Sequence, residues 1–263
     1  MDINKKLMQE LGIRLNQVEA AVKLIDEGNT IPFIARYRKE ATGSLDDEVL
    51  RRLDERLAYL RNLEEKKEQV LHTIGEQEAL TPELEEKIRN AETLVAVEDL
   101  YRPYRPKRRT RATIAKEKGL KPLADLILLQ MTKKPLEEVA KDYLSKEKEV
   151  LTVQEAISGA MDILAEQISD EADYRTYIRK LTFEKGLLKA EAKDSEAKTV
   201  YEMYYHYEEP VKKTAGYRIL AMNRGEAEKV LTVKIEAPEE DVRRYLEKKI
   251  ILSDNPYTTY VLR

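Results

Sequence analysis

The sequence predicts a mainly α-helical protein, an elongated multi-helix scaffold with an N-terminal helix-turn-helix-like part and minor β structure. Gly and Pro number only nine each in 263 residues, so helix breakers are few. Apolar residues also recur at helical spacing over most of the chain. Hydrophobic residues make up 42% of the sequence, which is enough for a packed core and excludes wholesale disorder.

Residues 3–25 predict two short helices that meet at Gly12. A Gly between two apolar-periodic segments is typical of the turn in a helix-turn-helix. In a DNA reader the second helix presents basic or amide groups to the groove. Its solvent-facing positions here are mixed and only weakly basic, namely Arg14, Asn16, Gln17, Glu19 and Lys23. The sequence therefore favours a helical scaffold over a DNA reader.

A short helix is predicted next over residues 31–42, with Pro in its first turn. It carries a small cationic cluster of Arg36, Arg38 and Lys39. Two interpretations stay open. These side chains contact nucleic-acid phosphates, or they are a solvated helix end, where cations are favourable in any protein.

A long helix of about thirty residues is predicted from Asp46, after a capping-box-like start with acids in the first turn. Such a helix spans roughly 45 Å. Apolar residues lie on or near one face of it: Val49, Leu53, Leu57, Leu60, Leu63, Val70 and Ile74.

The rest of the chain predicts shorter elements. We expect helices from residue 81 and over 120–131, 136–144, 153–168, 170–181, 196–207 and 239–250, strands over 183–188 and 230–235, and a turn over 223–226.

The sequence predicts three regions. Residues 1–75 contain the helix-turn-helix-like part and the start of the long helix. Residues 76–180 form a helical region with a basic loop at 101–111, and residues 181–263 combine helix with short strands. Residues 255–263 resemble a helix start that is cut off, so we expect an N-terminal part of a longer protein.

The basic loop is the strongest local feature. Residues 101–121 contain nine basic residues and one acid, a formal charge of +8, which leaves −11 for the rest of a chain whose net charge is −3. A dense cationic segment neutralises phosphates and releases counterions, and aromatic or Arg side chains stack on bases. The candidate nucleic-acid-binding residues in this loop are Tyr101, Arg102, Tyr104, Arg105, Lys107, Arg108, Arg109 and Arg111.

Two alternatives accompany that interpretation of the loop. Arg side chains also form ion pairs with carboxylates of the same protein, and Glu98 and Asp99 lie immediately upstream. The loop is also suited to docking on an acidic protein partner. Two prolines four positions apart exclude regular helix over residues 102–106, so the loop is expected to be extended.

Sequence patterns give no support for catalysis or for a cofactor. The chain lacks Cys, which excludes a disulfide framework, a zinc finger and a thiol nucleophile. Neither His72 nor His206 has a second His at metal-ligand spacing. The sequence also has no phosphate loop and no dinucleotide fingerprint. We therefore expect no enzymatic activity, no metal, no cofactor and no small-molecule ligand.

The membrane is not an expected partner either. No run of residues approaches the roughly 18 apolar residues that a membrane helix needs. The N-terminus opens an amphipathic pattern instead of an apolar signal core. We expect a cytoplasmic protein.

Four strings in this chain resemble the N-terminal region of the bacterial Tex proteins, a family of RNA-binding transcription accessory proteins. They are NTIPFIARYRKEATG at 29–43, VEDLYRPYRPKRRTRATIAKEKG at 97–119, GAMDILAE at 159–166 and YRILAMNRGEAEKV at 217–230. The resemblance implies a helical N-terminal region with a helix-turn-helix-like portion. In the family this region precedes a ribonuclease-H-like domain, helix-hairpin-helix motifs and an OB-fold RNA-binding domain, and this chain ends before them.

The resemblance implies a role in transcription as a helical scaffold that binds nucleic acid, RNA in particular, without sequence specificity. RNA or DNA would be contacted through the backbone, which carries no sequence information. The competing hypothesis is a protein–protein scaffold without nucleic-acid binding of its own. In it, the Leu-rich face of the long helix docks on the transcription or translation machinery.

Overall fold

Helices dominate the computed structural model, which describes residues 2–106, 108–131, 133–253 and 255–257. The described residues form fourteen α-helices and one three-stranded sheet, so the predicted mainly α fold with minor β structure is confirmed. The chain divides into two compact units, unit 1 (Met1–Tyr104) and unit 2 (Arg105–Arg263). The division into three regions at residues 75 and 180 stays a prediction. None of the described helices is long and apolar enough to cross a membrane.

Unit 1 contains seven helices. They are α1 (Ile3–Leu11), α2 (Leu15–Asp26), α3 (Ile31–Tyr37), α4 (Lys39–Thr42), α5 (Asp47–Glu76), α6 (Pro82–Asn90) and α7 (Leu94–Tyr101). The predicted junction between the first two helices is present, and Gly12 ends α1 in the left-handed conformation with φ 65°. Left-handed backbone favours Gly because it has no Cβ, so a Gly residue stops this helix.

The short helix predicted over residues 31–42 is in fact two helices. Arg38 separates α3 from α4, with φ −131° and ψ 27°, outside the helical region. Its backbone amide still donates to the carbonyl of Ile34. The break turns the chain within the cationic cluster, so the prediction of one helix carrying Arg36, Arg38 and Lys39 is wrong.

Helix α5 forms the centre of unit 1 and begins where the sequence predicts. Asp46 caps it, and its carboxylate accepts a 2.8 Å hydrogen bond from the backbone amide of Val49. Its Leu-rich face is entirely inside the unit 1 core, where Leu50, Leu53, Leu57, Leu60 and Leu63 are at most 3% exposed. These leucines are therefore covered by α1, α2, α3, α6 and α7 and do not form an open ridge.

Unit 2 contains seven helices and the sheet. The helices are α8 (Arg111–Glu117), α9 (Lys121–Leu129), α10 (Leu136–Ala140), α11 (Val153–Asp170), α12 (Ala172–Lys185), α13 (Gly216–Ala227) and α14 (Glu239–Ile250). Helix α11 packs against α8, α9 and α10. The predicted capping box of Thr152 and Glu155 starts it. A Cβ at Gly159 would lie 2.4 Å from Leu120, so the small residue permits the predicted close packing.

The sheet has the order β2-β1-β3, with β1 (Leu187–Ala192), β2 (His206–Pro210) and β3 (Leu231–Glu236), and both pairings are antiparallel. Ala190 lies opposite Tyr207 on one side and Val233 on the other. The predicted strand 183–188 is shifted towards the C-terminus. Helix α12 continues to Lys185, and its last turn includes the residues assigned to the strand start.

Two predictions in this part of unit 2 are wrong. The Tyr-rich segment 196–207 is not a helix but a single 3-10 turn followed by β2. Tyr201, Tyr204 and Tyr205 are buried against the sheet, and such tertiary packing overrides a helix-like spacing. The predicted turn at 223–226 lies inside α13, where Gly225 is buried and a Cβ would lie 2.7 Å from Leu231.

Candidate nucleic-acid interface

The boundary between the two units lies inside the predicted basic loop. Tyr101, Arg102 and Tyr104 belong to unit 1, and the four arginines Arg105, Arg108, Arg109 and Arg111 belong to unit 2. Lys107, which is also a candidate nucleic-acid-binding residue, lies outside the described residues. The candidates of the basic loop therefore fall into two groups, one in each unit.

In unit 1, the two candidate tyrosines are partly packed against the core. Tyr101 is the last residue of α7, and its ring centroid lies 5.8 Å from Nζ of Lys66. Tyr104 follows in a turn, and its backbone carbonyl accepts a 3.0 Å hydrogen bond from Nε2 of Gln77. Both rings are half-buried, whereas the side chain of Arg102 is exposed. The prolines thus end α7 as predicted.

In unit 2, the arginine-rich segment 105–111 leads into helix α8. Residues 105, 106 and 108–110 have no regular secondary structure, and Thr110 caps the helix. Arg111 is the first residue of α8 and not part of an extended loop, which corrects the predicted loop end at residue 111. Arg105, Arg108, Arg109 and Arg111 are all exposed.

Of the four arginines of unit 2 in this segment, Arg109 forms an ion pair with a described residue. Nη2 of Arg109 lies 3.0 Å from Oε2 of Glu117, and both side chains are more than half exposed, at 71% and 55%. Among the residues that the structure describes, none pairs with the guanidinium groups of Arg105, Arg108 or Arg111. The internal ion-pair alternative therefore applies to one of the four arginines within the described part of the chain.

Thr110 fixes the end of the segment to the body of unit 2. Its hydroxyl donates a 2.9 Å hydrogen bond to Oε2 of Glu166 on α11 and accepts one of 3.0 Å from the amide of Thr113. Oε1 of Glu166 accepts a 3.0 Å hydrogen bond from Nζ of Lys116. The capping Thr and one acid of α11 thereby hold α8 in place, so Arg111 is displayed from an anchored helix start.

The second cationic cluster, in unit 1, includes aromatic side chains that the sequence analysis missed. Cζ of Arg38 lies 5.3 Å from the ring centroid of Phe33, and that ring lies 5.3 Å from the ring of Tyr37. Arg36 and Lys39 are exposed beside them. The missed signal was the four-residue spacing of the two aromatics, which places them on one face of a helix.

Of the two amides on the second helix of the helix-turn-helix-like pair, Asn16 is exposed and Gln17 is engaged within unit 1. Nε2 of Gln17 donates to the backbone carbonyls of Thr42 and Gly43, at 3.2 and 3.1 Å. Oε1 of Gln17 accepts from the backbone amide of Arg14. An amide that bridges α2 to the end of α4 acts as a scaffold contact, and reading a base edge would require breaking these bonds.

The two histidines lie apart from these clusters. Nδ1 of His72 lies 3.5 Å from Glu76 on the exposed side of α5, and His206 is exposed at the start of β2. Among the described residues, no group of three His, Asp or Glu side chains is placed to hold a metal ion.

Comparisons with known proteins agree with the resemblance of the four strings. Residues 1–75 match the model of the Tex-like protein N-terminal domain, and residues 130–255 match the Tex central region-like model. The two matches together cover most of a chain whose described residues are mainly helical, so they define the class of the protein as Tex-like. The chain belongs to the Tex-like family.

Several curated proteins are similar to this chain. It is 50% identical over 95% of its length to the uncharacterized protein YdcI of Bacillus subtilis (strain 168), and covers 35% of that protein. It is 42% identical over 92% of its length to the transcriptional accessory protein Tex of Neisseria gonorrhoeae, and covers 32% of it. The chain is 30% identical over 89% of its length to the human S1 RNA-binding domain-containing protein 1, and covers 25% of that protein. The chain thus spans about a third or less of these relatives.

Proposed function

We propose that this chain is the helical scaffold of a Tex-like transcription accessory protein, and that unit 2 binds RNA or DNA without sequence specificity. The role proposed is binding without catalysis. The observation that carries the proposal is the contrast within the segment 105–111. Arg109 has a carboxylate partner, whereas the exposed guanidinium groups of Arg105, Arg108 and Arg111 have none among the described residues.

Unpaired guanidinium groups on a surface suit a polyanion. Binding of phosphates releases condensed counterions, and that gain does not depend on the base sequence. Phosphate contacts position a nucleic acid, whereas base contacts specify its sequence. Residues 105–111 contain these three arginines and no Asn or Gln, a composition that favours affinity without sequence selectivity.

The names of the relatives support the proposal at the level of the family. One relative is named a transcriptional accessory protein, and another is named for an S1 RNA-binding domain. This chain covers only 25–35% of the relatives described above. We therefore propose, for this part of such a protein, that it contributes to nucleic-acid binding. Lys107 adjoins the segment in sequence, and Tyr101, Arg102 and Tyr104 are proposed as separate nucleic-acid contacts of unit 1.

The protein–protein alternative has two parts, docking of the basic loop on an acidic partner and docking through the Leu-rich face of α5. That face is covered by the core of unit 1, because Leu53 and Leu60 are fully buried. Docking through these leucines would therefore require unit 1 to open and expose part of its core.

The proposal is tested by replacing the three unpaired arginines together. In the variant Arg105→Gln, Arg108→Gln and Arg111→Gln the formal net charge falls from −3 to −6. The matched control, Lys146→Gln, Lys198→Gln and Lys248→Gln, has the same net charge but changes exposed lysines elsewhere in unit 2. Affinities of both variants and the original protein are measured by fluorescence anisotropy with labelled single-stranded RNA, single-stranded DNA and a duplex.

We expect the arginine variant to lose at least tenfold in affinity for all three nucleic acids, because phosphates are common to them. The control should lose little. Equal losses in the two variants would assign binding to net charge alone and overturn the assignment to segment 105–111. Unchanged affinity in the arginine variant would overturn it as well.

A further inference from the structure

Unit 1 carries a surface that combines exposed aromatic rings with unpaired cations. We call it the aromatic–cationic patch and define it by five residues, Phe33, Arg36, Tyr37, Arg38 and Lys39. It lies on α3 and at the start of α4, far along the sequence from the arginine segment of unit 2. The patch is of interest because aromatic rings are rarely left open to water without a use when they lie together.

Helix α3 has one face buried in the unit 1 core and one face exposed to solvent. Ile34 is fully buried in the unit 1 core, whereas Phe33 is 36% and Tyr37 61% exposed. The two rings lie 5.3 Å apart with an interplanar angle of 47°. Both rings are therefore partly accessible to solvent, and Tyr37 is the more accessible of the two.

One cation lies against these rings, and two more are exposed on the same short segment. Cζ of Arg38 lies 5.3 Å from the centroid of Phe33, and its Nη1 donates a 3.1 Å hydrogen bond to the carbonyl of Tyr37. Arg36 and Lys39 are exposed and have no ion-pair partner in the part of the chain that the structure describes. Residues 29–43 contain three basic residues and one acid, so the local charge is positive.

This chemistry fits one kind of ligand better than others. Ring faces interleaved with cations match a chain in which flat bases alternate with phosphates, because aromatic side chains stack on bases while cations follow the backbone. A duplex conceals its base faces and offers only the phosphates. Protein interfaces are enriched in aromatic and Arg side chains but depleted in Lys and in charged residues at their centres, so three cations beside two rings favour the nucleic acid.

We propose that the aromatic–cationic patch binds unpaired bases of a single-stranded nucleic acid. Tyr37 and Phe33 stack on bases, and Arg36, Arg38 and Lys39 contact the flanking phosphates. The inference deepens the proposed function and rests on it, but it adds a preference that phosphate contacts alone do not give. The patch makes the chain favour single strands over duplexes.

The first test uses the absence of Trp from the sequence. The variant Tyr37→Trp contains a single Trp inside the patch, and a stacked base quenches Trp fluorescence. The matched control is Tyr217→Trp in unit 2, where the native ring is 66% exposed and also has an Arg within 5.5 Å of its centroid. We expect single-stranded oligo(U) to quench the first variant and not the control, and a duplex to quench neither.

The second test compares affinities in the full chain. Tyr37→Ala should lose about tenfold in affinity for oligo(U), within the range that base stacking contributes, and should keep its affinity for a duplex. Tyr37→Phe, which retains the ring, should bind oligo(U) as the original protein does. Equal circular dichroism unfolding midpoints of the three proteins show that folding is unaffected.

The outcomes separate this inference from the proposed function. If the arginine variant of segment 105–111 loses binding while Tyr37→Ala binds oligo(U) normally and Tyr37→Trp is not quenched, the patch is overturned and the proposed function stands. An equal loss for single strand and duplex in Tyr37→Ala also overturns stacking. A selective loss for the single strand in Tyr37→Ala, together with a loss of binding in the arginine variant, supports both the inference and the proposed function.

Discussion

The hydroxyl of Thr110 donates a 2.9 Å hydrogen bond to Oε2 of Glu166, 56 residues further along the chain. Thr110 caps α8 at the end of the arginine segment, and Glu166 lies near the end of α11. The same carboxylate accepts from Lys116 in the last turn of α8. One acid therefore contacts both ends of the helix that displays Arg111.

Removing this acid should loosen α8. In Glu166→Ala, Thr110 and Lys116 lose their acceptor, and we expect the segment to lose about 1–2 kcal/mol of local stability. Hydrogen–deuterium exchange of residues 111–117 should accelerate accordingly. Glu166→Gln keeps an acceptor for Thr110 and should show a smaller effect. Equal exchange in Glu166→Ala and the original protein would contradict the anchoring role.

The sequence predicts those parts of this fold that depend on local chemistry. The helix starts at Asp46 and Thr152 are correct because a capping side chain bonds to amides within three residues of itself. The Tyr-rich segment fails because the burial of Tyr201 depends on strands and on a helix that are distant in sequence. Propensity and spacing do not carry that information.

The candidate site shows the same limit. The cations are visible in the sequence, but their pairing is not. Arg109 and Arg111 are the same residue type in the same basic segment, so the sequence does not distinguish them. The folding of α8 places Glu117 beside Arg109 and not beside Arg111. The exposure of Phe33 also depends on which face of α3 the core of unit 1 covers.

The ion pair of Arg109 should restrain its use in binding. Glu117→Gln removes the partner, so we expect a modest gain in affinity for nucleic acid and an increase of up to about 0.9 in the magnitude of the salt slope on duplex DNA. The gain is small because exposed pairs are weak. Glu147→Gln, at another exposed acid of unit 2, is the matched control. An equal gain in both variants would indicate a net-charge effect alone.

Unit 1 should lose stability in acid through Glu10. The Arg56 guanidinium donates hydrogen bonds of 2.5 and 2.8 Å to this carboxylate and holds the pKa of Glu10 below its usual value of 4.5. Since the folded pKa is depressed, the stabilisation is present above the unfolded value and is lost as the pH falls through the folded one. For this partly exposed pair it amounts to roughly 0.5–1 kcal/mol.

Urea unfolding at several pH values measures this contribution. Glu10→Gln should be less stable than the original protein at neutral pH, and the difference should shrink between about pH 5 and pH 3. A difference that stays constant over that range would show that Glu10 acts through packing and not through its charge.

Two glycines of unit 1 should respond oppositely to the same substitution. Gly43 has φ +61°, and a Cβ there would lie 2.9 Å from Nε2 of Gln17, whose hydrogen bonds tie α2 to the end of α4. Gly43→Ala should therefore destabilise the chain by about 1–2 kcal/mol. Gly75 lies inside α5 with nothing within 4 Å of such a Cβ, so Gly75→Ala should stabilise it by up to about 1 kcal/mol. Circular dichroism melting compares both, and a stable Gly43→Ala would rule out strain.

The salt dependence of binding tests the role of segment 105–111 most directly. The affinity for duplex DNA is measured at several salt concentrations for the original protein, for the Arg105, Arg108 and Arg111 triple Gln variant, and for the lysine control. Each phosphate contact contributes about 0.9 to the slope of log affinity against log salt concentration. We predict that the arginine variant loses about 2–3 from the magnitude of this slope and that the control keeps it. An arginine variant with the slope and affinity of the original protein would contradict nucleic-acid binding by this segment.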